Sequence, residues 1–305
     1  MLSIIGPDGA AREAGRWPVP AHEPDRLSWL VAESVRPPAF EREGRYVIRL
    51  VLAGSGEVVS DREIWVAAPH GAPRRKLKLA VSGVAKSLRT QLESQPGVTV
   101  EDFKPGVRYD GIVASGLKAD EIVRRQVGEQ TGLEAQPKKG EKVELVLGEL
   151  PVEVLAAVAA GTPLLAMVQE DGLAEGVARQ LASLGLFTYA GQVGGLRAPW
   201  MGNWNYVRSH QTFAAIPADR AMSVLHQVEG QPSNGLVVDG EGVEVIAAYS
   251  RDHDRRNGAA SLIARKGAMR ALVHRLPDMA PPLQARWLSN ALDWLAADPI
   301  TSPGG

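Results

Sequence analysis

Pro163-Leu164-Leu165-Ala166-Met167-Val168 is a short, nearly all-apolar run, followed at once by Gln169-Glu170-Asp171-Gly172. A run this brief, closed by polar residues, reads as a strand buried on both faces. Gly172 to Leu184 then reads as a helix. Upstream, Pro151 suits the first turn of a helix that runs to about Ala160, where Gly161-Thr162 stops it. Lys76-Leu77-Lys78-Leu79-Ala80-Val81 is a further strand. Behind it Val84, Leu88 and Leu92 recur four apart with Lys86, Arg89 and Glu93 between them, the pattern of an amphipathic helix. Val98 to Val100, Asp110 to Ala114 and Val143 to Leu147 read as strands, and Asp120 to Gln130 as a helix.

Strands alternating with helices at this spacing predict βαβ units joined by right-handed crossovers. The expected fold class is therefore α/β, with a doubly wound, mostly parallel sheet and a small β segment ahead of it. Residues 189 to 239 are more irregular, with four glycines between Gly191 and Gly202. Val243 to Tyr249, Ser261 to Ala264 and Met269 to Val273 offer more strands. The last helix carries Trp287, Ala291 and Trp294 on one stripe, so both tryptophans read as core.

The first part of the chain has a different texture. Five prolines between Trp17 and Pro38 argue against helix. Tyr46, Ile48, Leu50 and Leu52 alternate at period two, Gly54-Ser55-Gly56 turns the chain, and Val58 to Val66 closes a hairpin. Ala67 to Pro73 has a linker's composition. The expected division is residues 1–73, β-rich, and residues 74–305, α/β.

Composition narrows function by exclusion. The chain has 305 residues, 34 basic and 35 acidic side chains and a net charge of −1, so no basic field exists to hold nucleic acid. It has no cysteine, which removes disulfides, thiolate metal sites and cysteine nucleophiles. The six histidines show no HExxH and no close pairing, so no metal is expected. No P-loop, dinucleotide fingerprint or G-x-S-x-G elbow occurs, and no cofactor is expected. No stretch approaches the roughly 20 apolar residues of a membrane span. The N-terminus, Met1-Leu2-Ser3-Ile4-Ile5-Gly6-Pro7, lacks the features of a signal peptide, which makes a cytoplasmic location the expectation.

Three segments carry a resemblance: Gly202-Asn203-Trp204-Asn205-Tyr206-Val207-Arg208-Ser209-His210, Asn234 to Val243, and Tyr249-Ser250-Arg251-Asp252-His253-Asp254-Arg255. Together they resemble the C-terminal region of β-galactosidase-like enzymes of glycoside hydrolase family two. There an immunoglobulin-like domain is followed by a class I glutamine-amidotransferase-like domain of flavodoxin-like type. The resemblance implies that residues 1–73 are the end of such a sandwich and residues 74–305 the amidotransferase-like unit. It also implies that hydrolysis in the parent enzymes belongs to an upstream (β/α)₈ barrel, which needs about 250 residues of its own and is not in this chain. A fragment, a split gene product and an independent relative are all compatible with that.

Three sets of residues are candidates for chemistry. The turn after the apolar strand is where amidotransferase-like folds carry their cysteine; here Gln169 or Glu170 stands there, so glutamine amidotransfer is excluded. Glu170 and Asp171 can serve in acid–base work, or merely favour a helix N-terminus. Asp252, His253, Asp254 and Arg255 follow a strand, where the carboxylates and histidine can bind a divalent metal or position a proton donor, the arginines can clamp an anionic substrate, or the set can form a self-neutralising solvated loop. Trp200, Asn203, Trp204, Asn205 and Tyr206 combine rings that stack on a sugar with amides that bind its hydroxyls, or they cover an interface. The leading functional expectation is a carbohydrate-binding or structural module. The alternatives are a stand-alone glycosidase that pairs Glu170 or Asp171 with Asp252 or Asp254, and an oligomerisation module. The expected partners are a carbohydrate, a second copy of the chain or a glycosidase barrel.

Overall fold

A computed structural model describes residues 1–20, 30–71, 76–115, 148–169, 171–194, 203–228, 234–251 and 257–297. Four strands near the N-terminus make one antiparallel sheet: β1 (Leu2–Ile5), β2 (Ala11–Gly15), β3 (Gly44–Val51) and β4 (Val58–Val66), in the order β2-β1-β3-β4. The expected hairpin is β3–β4, with Tyr46 opposite Ile64. Its turn depends on Gly56, whose φ of +73° suits glycine, and Gly56 N donates to Leu52 O at 2.8 Å. Ile4 and Tyr46 are buried, and Phe40 meets the Tyr46 ring edge-on at 4.8 Å.

The second sheet has eleven strands. β5 (Leu77–Ser82), β6 (Val98–Asp102), β7 (Gly111–Ala114) and β8 (Leu164–Met167) pair in parallel in the order β6-β5-β7-β8. Beyond β8 come β15 (Met269–His274), β14 (Asn257–Lys266), β13 (Val243–Arg251), β10 (Asn203–Val207) and the two-residue β11 (Arg220–Ala221). β15 is parallel to β8, but every pairing from β15 to β11 is antiparallel. β9 (Thr188–Val193) and β12 (Gly235–Asp239) form an antiparallel ribbon that touches β14 at Leu236–Ala259. β12 can cross there because glycines meet: a Cβ on Gly235 would lie 2.7 Å from the Gly258 Cα.

The doubly wound, mostly parallel, amidotransferase-like fold expected from the sequence is therefore corrected. Among the described residues strand outweighs helix, 38% to 20%, and the sheet is mixed. The reason lies in the connections. Two residues join β14 to β15, and three join β12 to β13. Links this short can make only antiparallel neighbours or direct turns, because a parallel crossover needs a dozen residues or more. The irregular, glycine-rich stretch after Tyr189 supplies β9, β10, β11 and β12, none of which the apolar periodicity announced. The expected helix at 120–130 and strand at 143–147 lie outside the described residues.

Four helices occur among the described residues: α1 (Lys86–Glu93), α2 (Val152–Ala159), α3 (Asp171–Ser183) and α4 (Pro281–Ala296). The central strands bury both faces. Leu77, Leu79, Val81, Leu165, Met167 and Leu272 pack with α1 and α4, while Ala80, Ala166 and Val273 pack with α2 and α3. Trp287 and Trp294 on α4 are buried, as the helical stripe predicts. Trp287 stacks on His274 with ring centroids 3.6 Å apart. Ser261 Oγ lies 3.2 Å from His274 Nδ1, and burial lowers the His274 pKa to about 3.

Truncating Trp287 to Ala should cost about 3–5 kcal/mol in a urea titration, because the cavity would open between α4 and the sheet. Between the unfolded histidine value near 6.5 and the folded value near 3, the unfolded chain binds the extra proton. Stability should therefore decline as pH falls through that window. An acid-unfolding curve that His274→Gln leaves equally steep would contradict this.

Candidate functional site

β8, β13 and β15 run in the same direction, so their carboxyl ends share one edge of the sheet. β10 runs the other way and begins there, with Asn203 opposite Arg251. This edge is stitched together by polar groups. Gln169 Nε2, just past β8, donates to Leu276 O and to Asp278 Oδ1, both at 3.0 Å. Arg275 is 1% exposed; its Nε donates to Val168 O at 3.2 Å and its Nη1 to Asn234 O. Arg251 Nη1 donates to Gly194 O. A buried guanidinium is tolerated only when its donors find partners, and for Arg275 the Val168 and Asn234 carbonyls provide them.

At the β10 end of this edge lies a cleft of about 440 Å³. One wall is Asn203, Trp204 and Asn205. The facing wall arises because the chain folds back: β11 pairs with Tyr206 and Val207, and Met222 N then donates to Asn205 O at 2.7 Å. That return delivers Met222, Ser223, Val224, Gln227 and Val228, and Pro277 closes the cleft beyond β15. None of the described lining residues ionises. Trp204 is half-buried, and Val224 at the rim is 84% exposed. Asn205 is 2% exposed, and its Oδ1 finds no hydrogen-bond partner among the described residues. The hydroxyl of Tyr249, directly across the β10–β13 pair, is in the same state. Leaving a buried polar atom unpartnered is costly, and of these two only Asn205 lines the cleft.

The Ser223–Gln227 wall has a fixed support. His226 is fully buried. Ser223 N donates to its Nδ1 at 3.1 Å, and its Nε2 lies 2.9 Å from Pro217 O. The backbone N–H makes Nδ1 the acceptor and the carbonyl makes Nε2 the donor, so the ring is neutral. Burial, outweighing its carbonyl bond, lowers the His226 pKa; the field of Arg220 adds to the shift. The His226 carbonyl accepts from Ala280 N at 3.1 Å, which ties the wall to the start of α4.

A larger groove of about 1060 Å³ lies at the opposite edge of the sheet. Three of its charged side chains are engaged by the fold. Arg265 meets Glu244 at 3.4 Å, and Arg270 donates to Leu295 O at 2.7 Å while standing 5.6 Å from the Trp294 ring centre. The Ser261–His274 pair is fully buried and offers no substrate a path to a nucleophile. Among the described residues no group of three His, Asp or Glu side chains has a metal-binding arrangement. No described helix is long and apolar enough to cross a membrane.

Asn203, Trp204 and Asn205 are thus brought together, while Tyr206 pairs with Ala221 and Ala248 and does not line the cleft. Asp171 opens α3. Glu170, Trp200, Asp252, His253, Asp254 and Arg255 lie outside the described residues. Sequence reasoning missed Ser223, His226, Gln227 and Pro277. The one usable signal was a serine three residues before a histidine in a segment without periodicity.

No protein-family model matches the chain, and no curated protein does. Among solved structures it has some likeness to a cold-adapted β-galactosidase from Rahnella sp. R3, at 12% identity and a TM-score of 0.39, over 73% of this chain and 31% of that one. It has a similar likeness to Agd3, a carbohydrate deacetylase, at 12% identity and a TM-score of 0.36, over 74% of this chain and 33% of that one. The chain spans about a third of either protein. This is a weak similarity to two carbohydrate-active proteins, and it does not extend to an amidotransferase-like assignment.

Replacing Gln169 by Leu removes both donors that tie the turn after β8 to the turn after β15. The expected loss is about 1 kcal/mol in chemical denaturation, and an unchanged midpoint would show that the edge is held by other groups.

Proposed function

We propose that this chain is a carbohydrate-binding module that takes a neutral sugar in the Trp204 cleft. One observation carries the reading: the cleft is lined by a half-buried tryptophan, two asparagines, a serine and a glutamine, with no ionisable group among the described lining residues. A sugar presents an apolar ring face to stack on an aromatic and hydroxyls that both donate and accept. Carboxamides and serine match those hydroxyls without the desolvation cost of a charge. An anionic ligand would find no described cation in the cleft to pair with it.

The same lining argues against catalysis in the cleft itself. Glycoside hydrolysis uses two carboxyl groups about 5 to 9 Å apart across the bond. The described lining supplies none, and the proposed role of the cleft is to bind and hold.

Calorimetric titration with p-nitrophenyl β-galactoside and β-glucoside tests the proposal. At least one should bind saturably, with Trp204→Ala weakening it about ten-fold, or about 1.4 kcal/mol, and with no nitrophenol released. Nitrophenol release that disappears in a folded Glu170→Ala or Asp252→Ala variant would replace this reading with a glycosidase. Absence of binding to either glycoside would remove it.

A further inference from the structure

We propose that His226 is a positioning residue that makes the cleft pH-dependent: its neutral ring holds the Ser223–Gln227 wall in place, and protonation releases that wall. The inference rests on the sugar-binding reading of the cleft and names a control on that same site.

The geometry leaves His226 no spare valence for a second proton. Nδ1 accepts the Ser223 N–H at 3.1 Å and Nε2 donates to Pro217 O at 2.9 Å. An added proton must go on Nδ1, where it would face the Ser223 N–H, donor against donor. That contact breaks, and Ser223 is the residue from which the wall begins. The rest of the turn leans on the same few bonds: His226 N donates to Ser223 O at 2.9 Å and Leu225 N to Ser223 Oγ at 3.4 Å. Gln227, the last donor and acceptor of the wall, is held at a φ of +46°, a conformation a glutamine keeps only when its neighbours impose it.

The surroundings oppose an imidazolium. His226 is fully buried, and Arg220 on β11 is the charged group whose field bears on it. Arg220 itself is engaged by Glu63 of β4 at 3.2 Å. The Pro217 carbonyl, the Ser223 amide and the start of α4, which reaches the His226 carbonyl through Ala280 N, bring no carboxylate to the ring. No other group among the described lining residues titrates. His274, deeper in the core, titrates near pH 3 and stays neutral across the range concerned. The neutral form is therefore favoured by the folded wall. Its contribution is complete above about pH 6.5 and is lost as pH falls through the lower folded-state value.

Binding of p-nitrophenyl β-galactoside is measured at about pH 7.5 and about pH 4.5, with the Ser223 amide protection factor followed by NMR over the same range in ligand-free protein. The natural sequence should bind more weakly at the lower pH in step with protonation of the His226 ring, which the same NMR titration reads. His226→Gln, which keeps an amide donor and acceptor but does not titrate, should bind similarly at both values. His226→Ala should bind poorly at both. Equal affinity at both values with the His226 ring shown to be protonated, or an acid loss preserved in His226→Gln, overturns the proposal. If the glycoside binds at neither pH, the sugar reading fails and the amide still decides this one. Ser223 protection that falls as the His226 ring protonates supports the wall mechanism, and protection that does not change overturns it.

Discussion

The middles of strands β5, β7, β8 and β15 are buried on both faces, and most of the structure follows from that. Their side chains alternate between two apolar layers, so every polar group at their ends must be satisfied by turns rather than by water. His274 is the extreme case. It sits in the last position of β15, flat against Trp287, and is held neutral by burial. Arg275 and Gln169, the next polar groups outward, spend their donors on the Val168, Asn234 and Leu276 carbonyls. The centre of the sheet is thereby closed, and the open concavity moves to β10, where the neighbouring strand is only two residues long.

The short β11 explains why a cleft exists at all. A longer strand would pair along the whole of β10 and cover Asn203 to Asn205 with backbone. Instead the chain leaves the ladder after Ala221, makes one more bond from Met222 N to Asn205 O, and turns away to form the facing wall. The N-terminal sheet supports that departure from behind. Trp65 Nε1 donates to Ala215 O at 2.9 Å, and Glu63 holds Arg220. Glu43 reaches Arg286 on α4 at 2.9 Å. Residues of the first sheet thus brace the segment from which the wall hangs, which gives that sheet a physical role whether or not it is the end of a sandwich.

Parts of this were legible in the sequence and parts were not, for physical reasons. Leu164 to Met167 could be read because a strand buried on both faces must be apolar throughout. Trp287 and Trp294 could be read because a helix packed on a sheet repeats its apolar side chains at helical spacing. β9 and β12 could not, since Gly191 sits at a φ of +118° and Gly235 meets the Gly258 backbone closely, and both break the periodicity that announces a strand. That loss turned an eleven-strand mixed sheet into an expected parallel one. In the cleft, Asn203-Trp204-Asn205 disclosed its chemistry from residue type alone. Its partners Ser223 and Gln227 did not, because only the fold-back of the chain brings them across from Trp204.

The account's central claim is that the Trp204 cleft, and not the larger charged groove at the other edge, receives a neutral sugar. Titrating p-nitrophenyl β-galactoside and β-glucoside into isotopically labelled protein and following the side-chain amide and indole signals tests it most directly. The account predicts shifts at the Asn203, Asn205 and Gln227 amides and the Trp204 indole, with Gln211 and the Trp294 indole unmoved. Shifts centred on Gln211 and Trp294, or none at the Trp204 cleft, would contradict it.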